Sequence, residues 1–290
     1  MKASVERTAL AVKHLFSLLF HLCGIRAAVN AVIRRRHGIG HPLLVLCYHG
    51  INEHQLPAFQ RQLDYLLSRS YRFVSGRELL ELAALSGEQR SFERLACLTF
   101  DDCLENNYTV VRPLLRRYAV PAIFFAPSAR LGNEARWDGC EEKVMSLEQL
   151  KDMAGSFEIG AHTRNHAALD RLAADGLREE IAGSRDDLGN LLDREIAFFA
   201  YPHGKYTGQV VDEVRRSRYR AAFTIEQHLN YRLDEPFIIG RYIVEPEDGI
   251  AFRMKVNGGY DWFYYARKLM VLYGSRTRSG GQAAVPGNGD

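Results

Sequence analysis

What most restricts the folding of this chain is an alternation. From Leu43 onward, short and almost uninterrupted apolar runs take turns with amphipathic stretches of helical period. The runs are Leu43–Tyr48, Ala96–Phe100, Ala122–Ala126, Glu158–Ala161, Ala197–Tyr201, Tyr219–Ile225 and Phe237–Val244. Helical patterns fall near 57–69, 76–85, 107–118, 147–154, 174–192 and 208–217. A strand that is apolar along its whole length is buried on both faces, the condition of a parallel sheet covered by helices. Alternation through about seven repeats in ~210 residues suits a closed or nearly closed barrel better than a two-layer sheet. The expected fold is α/β, a distorted (β/α) barrel of about seven parallel strands with an amino-terminal amphipathic helix. Three parts follow: a basic helical segment over 1–40, the barrel domain over 41–273, and a Gly-, Ser- and Pro-rich tail over 274–290 that reads as disordered.

Charge is distributed unevenly. The formal net charge is +3, yet residues 1–36 hold Lys2, Arg7, Lys13, Arg26, Arg34, Arg35 and Arg36 against Glu6. The remainder is therefore net acidic and a poor surface for nucleic acid, which binds clustered cations. Within 9–33, Leu15, Leu18, Leu19, Leu22 and Ile25 recur at helical spacing, but Ser17 and His21 interrupt a stretch already short of the ~20 residues a spanning helix needs. Three readings are open. Val29-Asn30-Ala31 could close a signal peptide, residues 9–36 could lie as a basic helix on an anionic membrane surface, or the helix could pack on the domain. The surface helix is preferred. Five cysteines, Cys23, Cys47, Cys97, Cys103 and Cys140, form an odd set without C-x-x-C pairs, which points to a reducing compartment. The expected location is cytoplasmic, peripheral on the inner face of a membrane, with export through an amino-terminal signal as the alternative.

Barrel enzymes keep their chemistry at the carboxyl ends of the strands. Here those ends read Tyr48-His49, Asp101-Asp102, His162 through His166, and Tyr201-Pro202-His203-Gly204. Adjacent aspartates leave a strand on opposite sides unless the backbone turns, and two such charges side by side resist joint ionisation. A cation resolves this, with one Asp as ligand and the other free as a base. The H-x-x-x-H spacing of His162 and His166 can set two imidazoles on one side of a helical turn. Two His and one carboxylate leave coordination positions open for water and substrate. Alone, the Asp pair could be a helix N-cap and the His pair a solvated face; the joint pattern is what favours a metal site.

The segments Leu98-Thr99-Phe100-Asp101-Asp102, Glu158 to His166 and Phe199-Ala200-Tyr201-Pro202-His203-Gly204 resemble the successive motifs of the polysaccharide deacetylases, the NodB-homology or carbohydrate esterase family 4 enzymes. The resemblance runs from about Leu43 to Val244 and implies a distorted (β/α) barrel. It implies Asp101 as general base, Asp102, His162 and His166 as ligands of a divalent metal, usually zinc, and the backbone N–H of Tyr201 as oxyanion donor. The implied reaction is hydrolysis of the acetamido group of an N-acetylhexosamine in an exopolysaccharide or cell-envelope glycan; the basic helix and free thiols add a lipid-linked saccharide as an expected substrate. An O-acetyl esterase and a catalytically silent glycan-binding scaffold are the competing readings.

The resemblance has gaps. Family members commonly supply a late histidine as general acid, and the last strand here reads Phe237-Ile238-Ile239-Gly240-Arg241-Tyr242 without one. His203 is the substitute candidate, His228 a weaker one. Arg241 could orient Asp101, meet a substrate carboxylate, or cap the strand in a surface ion pair. Tyr48, His49 and Trp137 are candidate pocket residues, Trp137 by stacking on a sugar or else edge-packed, and His49 lining the pocket or else buried beneath the first loop. Arg164 could meet an anionic substrate group or be a solvated loop residue. The aromatic stretch Phe252–Leu272 reads as a closing helix or a second membrane contact.

Overall fold

The computed structural model describes residue 32 and residues 41–85, 93–137, 139 and 141–266. Its strands are β1 (Leu44–Tyr48), β2 (Tyr71–Phe73), β3 (Arg94–Phe100), β4 (Ala122–Ala126), β5 (Glu158–Ala161), β6 (Phe198–Ala200), β7 (Ala221–Phe223) and β8 (Tyr242–Ile243). They form one sheet in the order β7-β6-β5-β4-β3-β1-β8, with β2 also on β3, and every pairing is parallel. A parallel bridge between Phe223 and Ile239 joins β7 to the segment leading into β8, so the two ends of the path meet. The sheet is thus curled into a distorted barrel.

Alternate residues of each strand serve two different cores, as the two-residue period of a strand demands. Val45, Cys97, Ile123, Phe125, Ala200 and Phe223 share one buried cluster. Leu46, Leu98, Phe100, Phe124 and Ala161 share the other, together with helical residues such as Leu63, Leu150 and Leu188. The helices are α1 (Leu56–Ser68), α2 (Gly76–Ala84), α3 (Arg112–Tyr118), α4 (Leu147–Ala154), α5 (Ala174–Leu192), α6 (Gly208–Arg216) and α7 (Ile250–Val256). α2 and α4 start on reciprocal caps, Ser75 with Glu78 and Ser146 with Gln149, which satisfy amide groups that the first turn leaves open.

The structure departs from the sequence expectation at several elements. β2 is a three-residue strand with exposed Arg72 at its centre, too short and polar to register as an apolar run. The stretch expected as one helix over 107–118 begins as a wide π turn at Asn107–Val111 and becomes α3 only at Arg112. Pro113, which brings no N–H to the ladder, sits at that change. The last apolar run pairs with β1 only at Tyr242 and Ile243; the N–H and carbonyl of Gly240 are engaged with the Asn230 side chain. In the Phe252–Leu272 stretch, α7 buries Phe252 and a further helical stretch spans 261–266; residues 267–272 lie outside the described residues. The expected amino-terminal helix, apart from Val32, and the expected 274–290 tail also lie outside them. Among the described residues no helix is long and apolar enough to cross a membrane.

Gly160 shows how tightly β5 is seated. A Cβ there would stand 2.5 Å from the Phe125 ring and 2.9 Å from the Phe198 carbonyl oxygen. Gly160→Ala is therefore expected to destabilise the fold by about 1–3 kcal/mol, the usual cost of overpacking, read as a lower urea midpoint at unchanged slope. An unchanged midpoint would mean that β4 and β6 yield freely at this point.

Candidate active site and metal centre

The site gathers at the carboxyl ends of β3, β5 and β6. β3 keeps its register through Asp101, whose N–H donates to the Tyr48 carbonyl at 2.9 Å. The chain then turns left-handed, with φ of 68° at Asp102 and 47° at Cys103. That turn answers the geometric difficulty of adjacent aspartates: it brings both carboxylates to one place instead of opposite faces. The conformation is costly for residues with a side chain and is found where the surroundings enforce it.

Asp101 is held by a buried ion pair. Arg241 donates from Nη1 to Oδ1 at 2.7 Å and from Nη2 to Oδ2 at 2.8 Å, the two-pronged match of guanidinium and carboxylate. The rest of the guanidinium is also engaged, Nη1 with Thr99 Oγ1 at 3.0 Å and Nε with the Thr224 carbonyl at 2.9 Å. Phe125 and Phe223 lie against its plane, with ring centroids at 5.5 and 5.9 Å. Cys47 donates from its thiol to Asp101 Oδ2 at 3.4 Å. Burial opposes ionisation of Asp101, but the Arg241 charge overcomes it and holds the carboxyl well below the usual carboxylate range. Of the three readings open for Arg241, the fully buried guanidinium fits the first: it is paired with Asp101, and is neither a surface ion pair nor exposed to a substrate carboxylate.

Among the described residues, Asp102, His162 and His166 form a buried group whose potential ligand atoms all lie within 4.8 Å of one another. His162 donates from Nδ1 to the Ala200 carbonyl at 2.8 Å, which leaves Nε2 as the lone-pair nitrogen facing the site. Nε2 of His162 is 3.7 Å, and Nε2 of His166 3.3 Å, from Asp102 Oδ1. Asp102 Oδ1 is nonetheless buried without a hydrogen-bond partner, as is His166 Nδ1. Burial lowers the His166 imidazole to about 2, with His162 and His203 adding to the effect, so it stands neutral and ready to ligate. Lone pairs of two imidazoles and a carboxylate converging on one buried point repel one another unless a cation lies there. The donor set therefore fits a divalent metal.

The loops that carry these residues are held from outside. His162 and His166 lie on a non-helical turn, contrary to the helical turn expected, with Thr163 at φ 61° and His166 at φ 59°. Glu180 on α5 accepts from the Arg164 and Asn165 amides at 3.0 and 2.9 Å and from Asn165 Nδ2 at 2.7 Å. Arg164 turns away from the site to Asp187 at 2.8 Å and Glu179 at 3.2 Å, so it meets no substrate. Ser128 donates to the same Asp187 carboxylate at 2.8 Å. Sequence reasoning missed Glu180 and Asp187; α5 carries acids at 175, 179, 180, 186 and 187, and nothing in their spacing says which of them hold the loop.

Other expectations are corrected. Tyr201 cannot serve as the oxyanion donor through its N–H, which is engaged with the Phe223 carbonyl at 3.1 Å as β6 continues its ladder on β7. Tyr48 is no substrate contact: it is buried, stacked on Phe100 at 5.4 Å, with its hydroxyl donating to Gln62 at 2.8 Å. Trp137 stacks on the His166 imidazole, centroids 4.5 Å and planes 16° apart, and so steadies a ligand as well as bordering the pocket. Its indole N–H is buried beside Asp102 without a well-aligned hydrogen bond. His203 has a left-handed φ of 56° and meets His166 edge-on at 4.6 Å. His49 is half-buried just past the end of β1. His228 is buried against Gly240 and stacked on Tyr264 at 3.8 Å, a packing residue and not a proton donor to the site.

Arg241→Met removes the partner of a buried charge and is expected to cost about 3–5 kcal/mol. Adding Asp101→Asn to that variant should restore most of the loss. A single variant as stable as the wild type would show that the pair is not coupled in the folded chain.

Comparison with known proteins agrees with this geometry. Residues 89–222 match the sequence profile of the family described as Polysaccharide deacetylase. YxkH of Bacillus subtilis (strain 168), named for the same family, is 25% identical over 217 residues, 72% of this chain and 74% of that one. A poly-β-1,6-N-acetyl-D-glucosamine N-deacetylase of Staphylococcus aureus (strain MSSA476) is 21% identical over 199 residues, 65% of this chain and 67% of that one. Among solved structures, IcaB from Ammonifex degensii superposes with a TM-score of 0.64 at 28% identity, covering 75% of this chain and 98% of that one. The barrel, the ordered motifs and the profile match converge: over residues 89–222 this chain matches the polysaccharide deacetylase family.

Proposed function

We propose that the chain is a metal-dependent hydrolase that removes the N-acetyl group from N-acetylhexosamine units of a polysaccharide, of the poly-N-acetylglucosamine kind. The observation that carries the proposal is the juxtaposition of two dissimilar aspartates. Asp102 closes a buried ligand set with His162 and His166, and Asp101 beside it is kept ionised and fixed by Arg241. Two imidazoles and one carboxylate leave open positions and suit zinc among the divalent ions. The bound ion would acidify a water molecule and polarise the acetamido carbonyl.

The chain's own residues supply the rest. Asp101 accepts the proton of the attacking water. A carboxylate held so far down is a weak base, so it acts on a water already made acidic. Arg241 fixes the direction of its lone pairs, since Arg241 and Cys47 engage three of the four acceptor positions of the carboxylate and leave one on Oδ1. His203, edge-on to His166, is the imidazole placed to return a proton to the departing amine. The products are acetate and a glycan bearing a free amine. No family-type histidine near β8 is needed for this assignment, because His203 stands on the other rim of the same site.

Acetate release from poly-β-1,6-N-acetylglucosamine tests the proposal. The metal-loaded wild type is expected to release it, and Asp101→Asn to lose at least about 100-fold in rate, as removal of a general base does. An O-acetylated glycan in parallel separates amide from ester hydrolysis. Release by the Asp101→Asn chain at the wild-type rate would contradict the assignment of the base.

A further inference from the structure

Two grooves open beside the His166–His203 pair, and their chemistry differs. The first, of about 870 Å³, runs from His166 and Trp137 and carries Arg130, Arg136 and Lys143. Glu134 is the carboxylate of its lining and is already engaged by Arg136 at 3.0 Å, so the lining keeps an excess of positive charge. The second, of about 610 Å³, begins at His203 and carries Asp170 and Glu226, with Lys205 as its cation. Tyr206, Phe263 and Tyr264 give it an aromatic wall, and Phe263 leaves 46% of its surface to solvent. Both volumes lie in the range of ligand-binding clefts. Aromatic faces beside carboxylates suit a sugar ring that carries an ammonium group. Guanidinium and ammonium groups along the other groove repel that same sugar.

Resting on the deacetylase reading above, we infer that the site takes an internal stretch of glycan with a fixed charge polarity. Sugars already freed of their acetyl group sit on the Asp170–Glu226 side, and only sugars without positive charge sit on the Arg130–Lys143 side. The reaction makes this polarity consequential. Each turnover exchanges a neutral acetamido group and water for an amine, which takes up a proton, and acetate. A fresh ammonium next to the reacting unit is accepted in one groove and opposed in the other. Deacetylation therefore advances along the glycan in one direction from a first amine, and free amines accumulate in runs.

The test uses a β-1,6-linked pentasaccharide with glucosamine at its centre and N-acetylglucosamine at the other positions. After one further turnover, mass spectrometry locates the new amine. The wild type is expected to place it on one side of the central amine in about five- to tenfold excess at low salt, and the excess is expected to shrink at 1 M salt. The double variant Arg130→Glu, Lys143→Glu is expected to lose the excess, read as the ratio of the two products and so independent of its overall rate. Equal yields on both sides, or an excess that the double variant keeps, would overturn the inference. Acetate from neither this pentasaccharide nor its fully acetylated form would overturn the deacetylase reading itself. Calorimetric titration of two isomers with one amine each, on either side of the centre, then decides the polarity alone, and equal affinities would refute it.

Discussion

The pairing of Arg241 with Asp101 is the interaction on which the rest of the site depends. It is buried, and it crosses the interior of the barrel from the segment entering β8 to the end of β3. Through Thr224 and Thr99 the same guanidinium also touches the end of β7 and the body of β3. It thus ties together the strands at which the open path of the sheet meets itself. Burying two charges is expensive, and a hydrophobic pair of the same volume serves a core at least as well. What such a pair gives is a carboxylate that stays charged and points one way in a dry place. That is what the base proposed beside the Asp102–His162–His166 group requires.

Around this pair, the loops that carry the candidate site are strained. Asp102, Thr163, His166 and His203 all adopt left-handed φ, and all belong to the loops following β3, β5 and β6. None is glycine, so each loop must be held in place by its neighbours. For the His162–His166 turn the support is visible: α5 lays Glu180 and Asp187 against it, and Ser128 reaches Asp187 from the loop after β4. Rigid elements behind a strained loop would fix the ligands of an ion in advance, which limits the ordering cost of binding.

Much of this was legible in the sequence. β4 and β5 and helices α4 and α5 fall where the apolar runs and helical period place them. The ordered motifs were read at the strand ends because polar residues stand out after continuous apolar runs. What escaped depends on contacts distant in sequence. Arg241 sits in an apolar run, and no local pattern tells a buried clamp from a surface ion pair. The Tyr201 N–H is taken by Phe223 through the register of β6 on β7, which sequence spacing does not encode. H-x-x-x-H suggests a helix, but the Glu180 carboxylate and the left-handed Thr163 shape a turn instead. Tyr48 ends an apolar strand with a hydroxyl, and only the position of Gln62 on α1 makes it a core residue.

Metal content tests the account most directly. The wild-type chain and His166→Ala, both prepared with zinc, manganese and cobalt supplied, are compared by elemental analysis after exhaustive dialysis. The account predicts about one divalent ion per folded wild-type chain and a large loss in the variant, which keeps its fold by circular dichroism. A well-folded wild-type chain that holds no divalent ion even after reconstitution would contradict it.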